Sequence, residues 1–88
     1  MFLLDVNVLI ALVDTNHVHH ETVAEWFWNH HVDGWATCPI TENGFIRILG
    51  HENYPNGPQS AEAARGLLVA LCVQAGHQFW ADAVSMRT

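Results

Sequence analysis

Residues 1–14 read MFLLDVNVLIALVD. Phe2 to Leu4 form a short apolar run that stops at Asp5, as a buried parallel strand does, and Asn7 then stands where it can cap a helix through Val8 to Val13. Strand, acidic turn, helix is the opening unit of a parallel α/β sheet. The stretch is apolar, yet it lacks a basic leader, carries Asp5 inside the run and is too short to span a bilayer. It reads as the start of a mature cytoplasmic protein.

The same alternation continues along the chain. From Val18 to His31 the positions Val23, Trp26, Phe27 and His30 recur at helical spacing, and Asp33-Gly34 closes that helix. Trp35 to Cys38 read as a second strand. Pro39 marks the switch into a helix that Thr41 is placed to cap, with Phe45, Ile48 and Leu49 on one face and Gly50 as its stop. His51 to Gln59 are loop, rich in Pro, Gly and Asn. Ser60 caps a further helix whose stripe is Ala64, Leu67, Leu68, Leu71 and Cys72, and Gly76 ends it. His77 to Trp80 read as a third strand, and residues 81–88 show little pattern. With neither linker nor repeat, residues 1–88 are expected to form one small domain of α/β class, which reads as unfinished because the chain stops where another crossover is due.

Composition narrows the function. The 88 residues are 50% hydrophobic and 14% charged, richer in apolar residues than a free-standing solvated domain, so part of the apolar surface is expected to meet another chain. Nine acids against Arg47, Arg65 and Arg87, with no Lys, give a formal charge of −6. No basic stripe exists to attract nucleic acid, so a substrate carrying phosphates requires cations or a partner to neutralise it. Cys38 and Cys72 lie far apart and form no CxxC pair, as two reduced, packed thiols do.

Two carboxylates stand out. In a parallel α/β sheet the ligand crevice lies beyond the C-terminal strand ends, and Asp5 falls where the first strand stops. A carboxylate buried there costs several kcal/mol unless it is paired or coordinates a metal, and no Lys or Arg is near in sequence. Glu42, in the first turn of the helix after the second strand, can reach the same crevice. Two acids facing each other repel unless a cation sits between them, and oxygen ligands of this kind suit Mg²⁺ or Mn²⁺. The plainer alternative for both is a helix N-terminus, where negative charge is favoured.

LLDVNVLIAL (residues 3–12) and CPITENGFIRIL (residues 38–49) resemble the first two signature segments of PIN-domain ribonuclease toxins of the VapC type. HVHHETVAEWFWNH (residues 17–30), NYPNGP (residues 53–58) and HQFW (residues 77–80) also look like this family in the right order, so the resemblance covers nearly the whole chain, as an N-terminal part of such a protein. It implies a PIN-like three-layer fold, a short parallel sheet flanked by helices, with the C-terminal strands and helices missing. It implies a metal-dependent endoribonuclease that hydrolyses RNA phosphodiester bonds as the toxin of a toxin-antitoxin module, using Mg²⁺ or Mn²⁺. Asp5 and Glu42 match the first two acids of its cluster and are the expected catalytic and metal-binding residues. Asn7 matches the polar position that orients the first carboxylate, though a bare helix cap looks the same. The implied partners are an RNA substrate, a cognate antitoxin and a second copy of the chain, with no membrane.

The pattern stops short of a third acid on a helix after the third strand and a further polar or acidic position after a fourth. Asp82 lies in the loop beyond HQFW and reads as an exposed carboxylate. With half of the cluster absent, the chain alone is expected to be inactive, and the alternative is a non-catalytic interaction fragment that binds an antitoxin or a second protomer. Arg47, on the Glu42 helix, either contacts substrate phosphate or forms a surface ion pair. His17, His20 and Glu21 can share a helix face, but without HExxH they read as a partly solvated surface, as do the other His. Trp28 lies off its helix's apolar stripe and suits a partner surface better than the core.

Overall fold

A computed structural model of the chain describes residues 2–81. It runs β1 (Phe2–Leu3), α1 (Val6–Val13), α2 (His20–His30) prolonged by a 3₁₀ turn (His31–Asp33), β2 (Trp35–Thr37), α3 (Pro39–Leu49), α4 (Ala61–Cys72) and β3 (His77–Phe79). The expectation for Asp82 lies outside the described residues.

The three strands form one parallel sheet in the order β1-β2-β3, and the expected α/β class holds. Phe2 pairs with Trp35 and Leu3 with Ala36, while Trp35, Ala36 and Thr37 pair with His77, Gln78 and Phe79. Among the described residues only β2 has neighbours on both sides, and all three of its residues are buried, whereas Phe2, Leu3, Gln78 and Phe79 on the outer strands are exposed. The ladder continues past the strand ends through Leu4 N–H to Ala36 O at 3.1 Å and Trp80 N–H to Thr37 O at 2.8 Å.

The core gathers Leu4, Leu9 and Ile10 from the first unit, Phe27 from α2, Trp35 from β2, Phe45 and Leu49 from α3, and Ala64, Leu68 and Leu71 from α4. Phe27 meets Trp35 edge to face at 5.0 Å, a geometry that contributes about 0.5–1.5 kcal/mol beyond area burial. Phe2 meets Trp26 in the same way at 5.0 Å, so α2 packs on the face shared by Phe2 and Trp35. Gly76 enters β3 with φ +89°, and a side-chain carbon there would run into the His31 carbonyl oxygen. Glycine is the residue that meets both demands.

Three local expectations are corrected. Asp5, not Asn7, is the N-cap of α1: its backbone is extended and its carboxylate accepts from Val8 N–H at 3.1 Å, while Asn7 lies inside the helix. Cys38, not Thr41, caps α3; Pro39 takes the first helical position and the Thr41 hydroxyl reaches back to accept from Cys38 N–H at 3.0 Å. In both cases the helix starts at the first residues beyond the strand that can leave the extended conformation. His30 is exposed instead of lining the apolar stripe, and α2 begins at His20, which leaves His17 outside it. Trp28 is 53% exposed, and Val18, Val69, Val73 and Phe79 are exposed as well. Among the described residues no helix is long and apolar enough to cross a membrane.

Candidate functional site

The register of β1 against β2 positions the two expected acids. Leu3 pairs with Ala36, so Asp5 and Cys38, each two residues further on, stand at neighbouring C-terminal strand ends. Glu42 lies one turn into α3, its N–H donating to Cys38 O at 2.9 Å. Asp5 thus lies just beyond β1, and Glu42 in the first turns of the helix that follows β2.

Their surroundings differ. Asp5 is exposed, and its Oδ1 accepts from Val8 N–H, so the cost of burying a charge does not arise there. Glu42 is half-buried, and its Oε2 accepts from the fully buried Thr37 hydroxyl at 2.6 Å. The same Thr37 Oγ1 lies 2.8 Å from His77 Nε2. Thr37 has one hydroxyl proton and donates it to Glu42, so at this contact His77 Nε2–H is the donor. Burial pushes the His77 imidazole below its ordinary range, and the Glu42 charge partly offsets this.

Cys72, from the last residue of α4, closes the group. Its sulfur, a Glu42 carboxylate oxygen and a ring nitrogen of His77 all lie within 4.8 Å of one another. Burial, with the Glu42 charge beside it, pushes the Cys72 thiol up, and the nearby Thr37 hydroxyl acts in the opposite sense. Thr37, Cys72 and His77 are the residues that sequence reasoning passed over as site members. A signal for two of them existed: Gly34 and Gly76, both at positive φ, immediately precede β2 and β3, which aligns Trp35 with His77 and brings His77 within reach of Thr37. Nothing in the spacing placed Cys72 there.

Asn7 is exposed in the first turn of α1 and makes no hydrogen bond to Asp5 among the described residues. Arg47 is five residues beyond Glu42, which turns it about 140° around the helix. It is exposed and lines a separate groove with Ile48, His51, Asn53, Tyr54 and Pro55. His20 is held by a contact of its Nδ1 with Ala11 O at 2.7 Å, and His17, His20 and Glu21 are not brought together as a metal-binding group among the described residues.

Comparison with known proteins gives close relatives. The chain is 45% identical over 86 residues to the protein named Ribonuclease VapC38 of Mycobacterium tuberculosis (strain ATCC 25618 / H37Rv), covering 98% of this chain and 61% of that protein. It is 44% identical over 84 residues to Ribonuclease VapC44 of Mycobacterium tuberculosis (strain CDC 1551 / Oshkosh), covering 96% and 58%, and 45% identical over 84 residues to Ribonuclease VapC39 of the same strain, covering 96% and 60%. No protein-family model matches the chain, and no solved structure does. The chain spans about three fifths of the length of these curated relatives. With 44–45% identity sustained over nearly all of its residues, it is similar to about three fifths of each of these proteins named Ribonuclease VapC.

Proposed function

We propose that this chain carries the first part of a metal-dependent endoribonuclease site, in a protein that hydrolyses RNA phosphodiester bonds as the toxin of a toxin-antitoxin module. What supports it is that Asp5 follows β1 and Glu42 lies in the first turns of the helix after the neighbouring β2, in a chain whose relatives are named ribonucleases. The donor chemistry fits Mg²⁺ or Mn²⁺: both residues offer carboxylate oxygen, and hard divalent ions prefer oxygen. Among the described residues only one oxygen of each carboxylate is engaged, Asp5 Oδ1 by Val8 and Glu42 Oε2 by Thr37. Asp5 and Glu42 would hold the ion, which when bound lowers the pKa of a coordinated water and neutralises phosphate charge. Asn7, beside Asp5, would orient that carboxylate, and Arg47 would meet a phosphate further along the RNA.

We read residues 1–88 as one part of a PIN domain. These 88 residues supply two of the acids the reaction uses, so cleavage is expected to be weak or absent until further acidic oxygens are added. The same reading places the protein in the cytoplasm with an antitoxin and a second protomer as partners. The alternative is a non-catalytic interaction fragment that binds an antitoxin or a second protomer, with the exposed Trp28, Val69 and Val73 available for such contacts. An RNA cleavage assay in Mg²⁺ tests the main proposal, comparing the chain extended to its relatives' length with the same extended chain carrying Asp5→Asn. Cleavage should be lost in the variant, and equal activity in both refutes the catalytic role of Asp5.

A further inference from the structure

We propose that Glu42, Cys72 and His77 form a three-ligand site for a borderline-soft divalent ion of the Zn²⁺ class. The three side chains come from α3, the end of α4 and the start of β3, and their donor atoms already lie within 4.8 Å of one another. Each is half-buried, so the group is neither a solvated surface patch nor a sealed core. Donors on a tetrahedral zinc ion, at about 2.0–2.3 Å from the metal, are themselves roughly 3.3–3.8 Å apart, so small side-chain rotations suffice to close the triad on an ion.

Ligand chemistry selects the metal class. A thiolate and an imidazole beside one carboxylate suit Zn²⁺ or Co²⁺ and are poor partners for Mg²⁺, which prefers oxygen. Three protein ligands leave a fourth position for water, as in open zinc sites. Thr37 supplies the support such a site requires: it is fully buried and its hydroxyl already bonds both Glu42 and His77. On binding, the Cys72 thiol gives its proton to solvent and the thiolate coordinates the ion. Because Glu42 is shared, an ion here draws that carboxylate away from Asp5; this consequence alone rests on the Mg²⁺ reading above.

The test uses the untagged 88-residue chain and Co²⁺ as an optical probe, because a cobalt–thiolate bond gives a charge-transfer band that ions bound to surface histidines do not. The band is expected in the wild-type chain, in Cys38→Ser and in Asp5→Asn, and is expected to vanish in Cys72→Ser. Zn²⁺ should remove it by displacement and excess Mg²⁺ should not. His77→Gln should weaken Co²⁺ binding by at least about tenfold, since even residues that only support metal ligands cost about 10–100-fold. Should Cys72→Ser not fold, alkylation of the wild-type thiols followed by mass spectrometry replaces it, and Zn²⁺ should slow modification of Cys72 at least about tenfold. Absence of the band in the wild type, its survival in Cys72→Ser, or unaltered Cys72 alkylation in Zn²⁺ overturns the site. RNA cleavage is not measured, so failure of the nuclease proposal leaves these outcomes readable.

Discussion

The Thr37 hydroxyl donates to the Glu42 carboxylate at 2.6 Å, tying the central strand to the first turns of the helix that follows it. Thr37→Val keeps the shape and removes the hydroxyl, which leaves Glu42 and His77 half-buried without their shared partner. A loss of about 1–3 kcal/mol in unfolding free energy is expected, and Thr37→Ser should recover most of it. Urea denaturation measures both, and a valine variant as stable as wild type would mean that solvent satisfies the pair.

Asp5 has two separable roles. As a helix cap it is interchangeable with Asn, while Ala at such a position costs about 0.5–2 kcal/mol. Asp5→Asn is therefore expected to unfold at nearly the wild-type denaturant concentration and Asp5→Ala at a lower one. As a metal ligand it is not interchangeable, so both variants should abolish RNA cleavage in the chain extended to its relatives' length. Cleavage retained in Asp5→Asn would restrict Asp5 to capping.

Tyr54 is the only tyrosine in the chain, so tyrosinate absorbance reports on it alone. It donates to Asp14, fastening the loop before α4 to the end of α1. Burial first, then the Asp14 hydrogen bond and charge, raise it from its ordinary 10.0 to about 12. Ionisation thus favours the unfolded chain: the stabilisation is fully present below pH 10 and is lost as the pH rises toward about 12. A spectrophotometric titration should show a midpoint well above the ordinary value, lowered by Asp14→Asn. An ordinary midpoint in the folded wild-type chain contradicts the contact.

Gly76→Ala tests the junction between α2 and β3. A left-handed backbone alone costs an ordinary residue about 1–3 kcal/mol, and the new methyl group also meets the His31 carbonyl oxygen. Chemical denaturation should show at least that loss. A change of less than about 0.5 kcal/mol, typical of an indifferent surface position, would show that the turn relaxes freely.

The sequence by itself determined the α/β alternation, because apolar runs that end at Asp5 and Cys38 and helical stripes such as Ala64, Leu68 and Leu71 are local patterns set by backbone period. It also put Asp5 just beyond the first strand and Glu42 in the first turns of the helix after the second, because each follows an apolar run directly; that β1 and β2 are neighbours was decided by the tertiary fold. Caps were less legible: Asp5 and Asn7 offer the same chemistry two residues apart, and only the point at which β1 releases the chain chose between them. Tertiary structure alone decided what Glu42 touches. Thr37, Cys72 and His77 are 5, 30 and 35 residues from it, and their meeting depends on strand register and on where α4 ends. Such contacts arise from packing between distant elements, for which a one-dimensional pattern carries no period.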